Sequence, residues 1–122
     1  MAYLSDNVHD FGLDYIYDYA DRVDICSQEP ATYTEATSTY SLGNKTSVVV
    51  SAPQAGDVSG RKVTIQQIPD GSTTDTGTAT HWALTYVSGT ELIASAALAA
   101  SGDVSSGGVW TLPNFDIEKL DP

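Results

Sequence analysis

Residues Thr80–Ala100, THWALTYVSGTELIASAALAA, carry the strongest folding constraint in the chain. Trp82, Leu84 and Tyr86 alternate with Ala83, Thr85 and Val87, and Leu92, Ala94, Ala96 and Leu98 continue the alternation after Ser88-Gly89. A period of two with apolar residues at both parities describes a strand pair covered on both faces. The Ser-Gly pair between the two runs predicts a hairpin turn. A chain with such a hairpin at its centre must supply a layer for each face.

The remaining segments fit short strands and turns. RVDICS at Arg22–Ser27 predicts a strand with Val23 and Ile25 inward and Asp24 outward. TSVVVS at Thr46–Ser51, RKVTIQQI at Arg61–Ile68, Val109–Leu112 with Trp110, and a last run with Phe115 and Ile117 read the same way. Gly43-Asn44 and Pro69-Asp70-Gly71 read as turns, and Ala52–Gly60, Ser72–Thr78 and Ser101–Gly108 as loops. Ala31–Leu42, rich in Thr and Tyr, fits a polar strand or a loop. His9–Asp21 is the helical candidate: Leu13, Ile16, Tyr17 and Ala20 form an apolar stripe, with Asp10, Asp14, Asp18 and Asp21 beside it. Gly12 and like charges four residues apart weaken an isolated helix there. Leu13, Tyr15, Tyr17 and Tyr19 also alternate, so an extended arm competes with the helix. The expected fold is mainly β, an antiparallel β-sandwich or small barrel with a short N-terminal helix or arm. The expected division is residues 1–21 as helix or arm and residues 22–122 as one β-domain.

Charge narrows the partners. Sixteen acidic against five basic residues give a net charge of −11. Such a balance repels phosphates and anionic headgroups, so neither nucleic acid nor a membrane surface is an expected partner. A basic protein partner, or simply a soluble acidic surface, fits better. No stretch has the length of a membrane-spanning helix, and Met1–Asn7 lacks the features of a secretory signal.

Catalytic patterns are missing from the sequence. No nucleophile elbow, phosphate-binding glycine loop, paired cysteines or His-Glu-x-x-His occurs. Cys26 is the single cysteine and reads as a small buried hydrophobe. His9 and His81 have no spacing that ties them to it, and His81 reads as a core or interface histidine. Four aspartates at helical spacing do not encircle a calcium ion. The expectation is a non-enzyme with no catalytic, cofactor-binding or metal-binding residues.

Three stretches carry a family resemblance: AYLSDNVHDFGLDYIYDYADRVDICSQEPATYTEAT, GRKVTIQQIPDGSTTDTGTATHWALTYVSGTELIASAAL and FDIEKLDP. Together they span almost the whole chain. In them the sequence resembles small structural virion proteins of tailed bacteriophages, of the capsid-decoration type. The resemblance implies a structural role on the outer head surface, with the major capsid protein or another virion protein as partner. It also implies a homo-oligomer, a trimer in many such proteins, found in the virion after synthesis in the host cytoplasm. Residues 3–20 are the expected contact, with Tyr3, Leu4, Tyr15, Tyr17 and Tyr19 at the interface, because aromatic side chains make effective anchors. The alternative is a tail- or head-fibre module binding a receptor or glycan through Tyr33, Tyr40 or Trp110.

Overall fold

The computed structural model describes residues 3–4, 13–55 and 61–119. Its elements are β1 (Tyr3–Leu4), α1 (Leu13–Tyr19), β2 (Arg22–Cys26), a π-helical segment (Glu35–Thr39) and β3 (Ser41–Thr46). They continue with β4 (Gln54–Ala55), β5 (Arg61–Ile65), β6 (Ile68–Thr73), β7 (Gly77–Tyr86), β8 (Glu91–Val104), β9 (Val109–Leu112) and β10 (Phe115–Lys119). The chain is mainly β, and among the described residues every strand pairing is antiparallel.

The predicted hairpin forms and extends well beyond its predicted ends. β7 pairs with β8 from Tyr86↔Glu91 to Gly77↔Val104, and β6 pairs with β9 from Ser72↔Val109 to Ile68↔Leu112. One antiparallel ribbon therefore runs from Ile68 to Leu112, with its tip at Val87–Thr90. It bends where Thr74–Thr76 faces Ser105–Gly108. Hydrogen bonds hold this corner: Gly107 N donates to Thr73 O (2.9 Å), Ser106 N to Thr76 Oγ1 (3.0 Å) and Ser106 Oγ to Thr74 O (3.1 Å). β2 and β3 line the inner edge of the ribbon, giving a seven-stranded sheet in the order β1-β8-β7-β2-β3-β6-β9. A three-stranded sheet, β10-β5-β4, packs on it. The arrangement is sandwich-like, and no closed barrel forms among the described strands.

The main core lies between the sheets. Val23, Ile25, Trp82, Leu84 and Ile93 meet Val63, Ile65 and Ile117, and Leu13 and Ile16 of α1 complete it. The Trp82 and Phe115 rings lie 4.4 Å apart and tie the two sheets together. α1 thus follows the helical alternative over Leu13–Tyr19. Tyr17, predicted on the buried stripe, is instead 47% exposed. The helix places it a quarter turn off the line through Leu13, Ile16 and Ala20. Of the rest of the predicted helix, His9–Gly12 lies outside the described residues, and Ala20–Asp21 lies past the helix end.

Five further expectations are corrected. TSVVVS is not a regular strand: Ser47 takes a positive φ of 56°, which turns the chain out of β3. The valines then carry it across to the smaller sheet, where Val50 bridges to Ile65 and Val49 stays exposed. Gly43-Asn44 and Pro69-Asp70-Gly71 are not turns but parts of β3 and β6. Both glycines allow close approaches around Trp110. A Cβ on Gly71 would stand 2.0 Å from the indole, and one on Gly43 would stand 2.2 Å from the Ser72 carbonyl oxygen and 2.8 Å from the indole Nε1. The ring fills this bed, is 4% exposed and donates Nε1–H to Ser72 O at 2.9 Å. Pro69 sits in a register shift between Ile68 and Gly71, where the missing amide is tolerated. Finally, Ser101–Val104, expected as loop, is the distal end of β8, and Ser72–Thr73 belongs to β6.

Candidate interaction surface

The second face of the large sheet is closed by the π-helical segment. TYTE at Thr32–Glu35 forms a variant of the capping box, with the Glu35 carboxylate reaching one residue further back than the usual partner. Thr32 Oγ1 accepts the Glu35 amide at 3.1 Å, and Glu35 Oε1 accepts the Ala31 amide at 2.8 Å. Tyr40 N then donates to Glu35 O at 2.9 Å, the wide spacing of a π-turn. Ala36 is driven down onto Cys26, Ala83 and Leu92. The Thr-x-x-Glu signal lay in the sequence after Pro30 and identifies the segment that composition left as strand or loop.

Beneath this cover lies Asp24, expected to face outward yet fully buried. Arg22 grips it with two hydrogen bonds, Nε to Oδ1 at 2.7 Å and an Nη to Oδ2 at 2.9 Å, and Ser41 Oγ donates to Oδ2 at 2.7 Å. Burial raises the Asp24 carboxyl above its ordinary range, while the Arg22 and Ser41 hydrogen bonds work against that rise. The hydrogen bond to Asp24 raises Arg22 further. All the carboxylate's close partners are structural, so the group locks β2 to β3 rather than facing a substrate.

Cys26 and His81 stand opposite one another in the β2–β7 register, a proximity that sequence spacing does not reveal. The thiol donates to Ala36 O at 3.5 Å, and burial pushes it up to about 12, aided by the Asp24 charge. It stays protonated at neutral pH and offers no thiolate. His81 Nδ1 meets Thr80 Oγ1 at 2.8 Å. Among the described residues no cluster of three or more His, Cys, Asp or Glu side chains could hold a metal ion. No described helix is long and apolar enough to cross a membrane.

Two surface features remain. The inside of the ribbon's bend forms an open apolar groove of about 440 Å³. Ile25, Ala79, Leu98 and Val104 line one side, and Trp110 and Leu112 the other. β8 inserts Leu98–Ser101 opposite the single residue Thr80, an irregularity that brings Leu98 to this groove. Trp110 presents only a wall here, so its indole is not an exposed sugar platform.

The other feature is the outer face of α1. Leu13, Ile16 and Ala20 anchor the helix inward, so Tyr15, Tyr17 and Tyr19 are held on a fixed support. Tyr15 and Tyr19 stack at 4.8 Å between ring centroids, and Tyr19 and Tyr86 at 5.1 Å. Tyr15 Oη donates to Glu91 Oε1, and Asp21 Oδ1 accepts the Val87 amide at 3.1 Å, so α1 is fastened to the tip of the ribbon. Tyr17 and Tyr19 are 47% and 43% exposed, the most exposed aromatic side chains described. Asp14 and Asp18 form the crest between Tyr17 on one flank and Tyr15 and Tyr19 on the other. Of the five residues expected at an interface, these three tyrosines share one helix. Tyr3 and Leu4 pair with Ser95 and Ala94 on β8, a few residues from Glu91. Their side chains lie outside the described set, as do residues 5–12.

No family model matches the chain, and neither a curated protein nor a solved structure does.

Proposed function

We propose that this chain is a structural virion protein of a tailed bacteriophage, of the capsid-decoration type, and that it has no catalytic activity. Its partner is the major capsid protein or another virion protein, and it works as a homo-oligomer, a trimer in the simplest arrangement. The observation that carries the reading is the α1 face: Tyr17 and Tyr19 stand half-exposed on a helix whose opposite side is locked into the core, with Tyr15 beside them packed partly against that core. Rigid, half-exposed aromatic side chains bury large area at low entropic cost, which is what a docking surface needs. The sequence resemblance supplies the virion context, and the strong negative charge suits a protein that stays soluble until its site is available.

Electron microscopy of particles of the encoding phage, labelled with antibody against the purified protein, tests this reading. Label over the head surface is the expected result. Label confined to tails or fibres overturns head decoration in favour of the fibre module, and unlabelled particles overturn the virion reading.

A further inference from the structure

We infer that the outer face of α1 is a docking site for arginine side chains of a basic partner segment. The inference rests on the reading of this face as a contact surface and adds the chemistry of the partner. Tyr15, Tyr19 and Tyr86 form a continuous row of rings tilted 45° to one another, and Asp14, Tyr15, Asp18 and Tyr19 line a surface depression of about 270 Å³ beside it. Ring faces attract cations through their quadrupole, and a planar guanidinium stacks on them while its N–H groups reach carboxylates. This depression offers both partners within one helical turn.

The cations whose side-chain pairings are described do not fill that role. Among the described residues Arg22 holds Asp24, Lys45 holds Asp70 at 3.1 Å and Lys62 holds Asp116 at 3.2 Å. None of these three pairs with Asp14 or Asp18. Two carboxylates four residues apart on the crest of a short helix repel each other, and a bound cation relieves that repulsion. The overall charge of −11 brings a basic segment to the surface, while the aromatic stack decides where it stays.

The test is a titration of the full chain with a capped hexa-arginine peptide, followed by NMR of the tyrosine ring protons. It is run in about 0.15 M salt, where exposed charges beyond about 8 Å are screened. Hexalysine serves as a probe of equal charge. The ring signals of Tyr15, Tyr19 and Tyr86 are expected to shift first, with hexa-arginine the tighter ligand. Tyr19→Ala and Asp14→Asn/Asp18→Asn are each expected to weaken binding by about fivefold or more. Asp75→Asn/Asp103→Asn, with the same change in charge, is expected to leave it within about twofold. Equal losses in the two double variants, or equal affinity for the two peptides, overturn the inference in favour of diffuse electrostatics. If the peptide ignores this face while Tyr17→Ala/Tyr19→Ala still abolishes particle binding, the contact reading stands and the arginine inference falls. If the peptide binds as described and particles do not, the inference stands and the contact reading falls.

Discussion

The two faces of the large sheet are buried by different means, and neighbouring residues of β2 show it. Ile25 points into the apolar core between the sheets, where it meets side chains from both. Asp24 points the other way, under the π-helical segment, into a compartment of small and polar groups: Cys26, Ala36, Ser41 and Ala83. The first face is held by area, which tolerates exchange among apolar residues of similar volume. The second is held by matched donors and acceptors, where one missing partner leaves another stranded. α1 belongs to the first kind on its inner side, which leaves Tyr17 and Tyr19 exposed on its outer side.

Breaking each face in turn should give losses of similar size by unlike causes. Ile25→Ala opens a cavity and is expected to cost about 3 to 4 kcal/mol in urea unfolding. Asp24→Ala strands Arg22 and Ser41 and is expected to cost about 3 kcal/mol. The contrast sharpens in a joint replacement, Arg22→Met/Asp24→Leu, which removes both charges together. It is expected to recover most of the loss, because no buried charge is left alone. A joint variant as unstable as Asp24→Ala contradicts the polar account of this face.

A third break lies where the ribbon bends. Gly71→Ala drives a methyl group into the Trp110 indole and is expected to cost about 2 kcal/mol, with a change in tryptophan fluorescence. Unchanged stability would mean that the indole bed is not needed.

The titration of Asp24 gives a finer test. Its folded-state value lies above the ordinary 3.8, so the folded protein binds this proton more tightly than the unfolded chain. The group's contribution to stability is therefore present below pH 3.8 and is lost as the pH rises through the raised folded value. Asp24→Asn is expected to remove that falling slope from a series of urea midpoints. Asp116 has the opposite sign: the Thr64 hydrogen bond lowers it, so its contribution is present above 3.8 and is lost as the pH falls through the lowered value. Asp116→Asn should flatten only that acid limb.

How legible these features were depends on which signal each residue sent. The alternation in Thr80–Ala100 marked the hairpin, and the Leu13, Ile16 and Ala20 spacing marked the inner side of α1. Both are periodic signals set by burial, and burial is what forms them. Glycine misled, because Gly71 is needed for the space it leaves beside Trp110, and Gly43 for the close approach of the Ser72 carbonyl and the same indole, rather than for a turn. The run Val48–Val50 misled in the other direction: its propensity suits a strand, but Ser47 turns the chain between sheets at that point. Asp24 was unreadable alone, since its burial depends on Arg22 and Ser41 and on a π-turn folded over them. Of the site, the three tyrosines of α1 were legible as a group. The contribution of Tyr86 was not, because it joins the stack through tertiary packing.

The most direct measurement is co-sedimentation of the purified protein with heads of the encoding phage that lack it, comparing wild type with Tyr17→Ala/Tyr19→Ala. Both side chains are largely outside the core, so the double variant should melt within a few degrees of wild type (about 1 kcal/mol or less). The account predicts that it loses binding by about tenfold or more. A double variant that melts like wild type and still sediments with heads at wild-type affinity would contradict the claim that the α1 face is the contact surface.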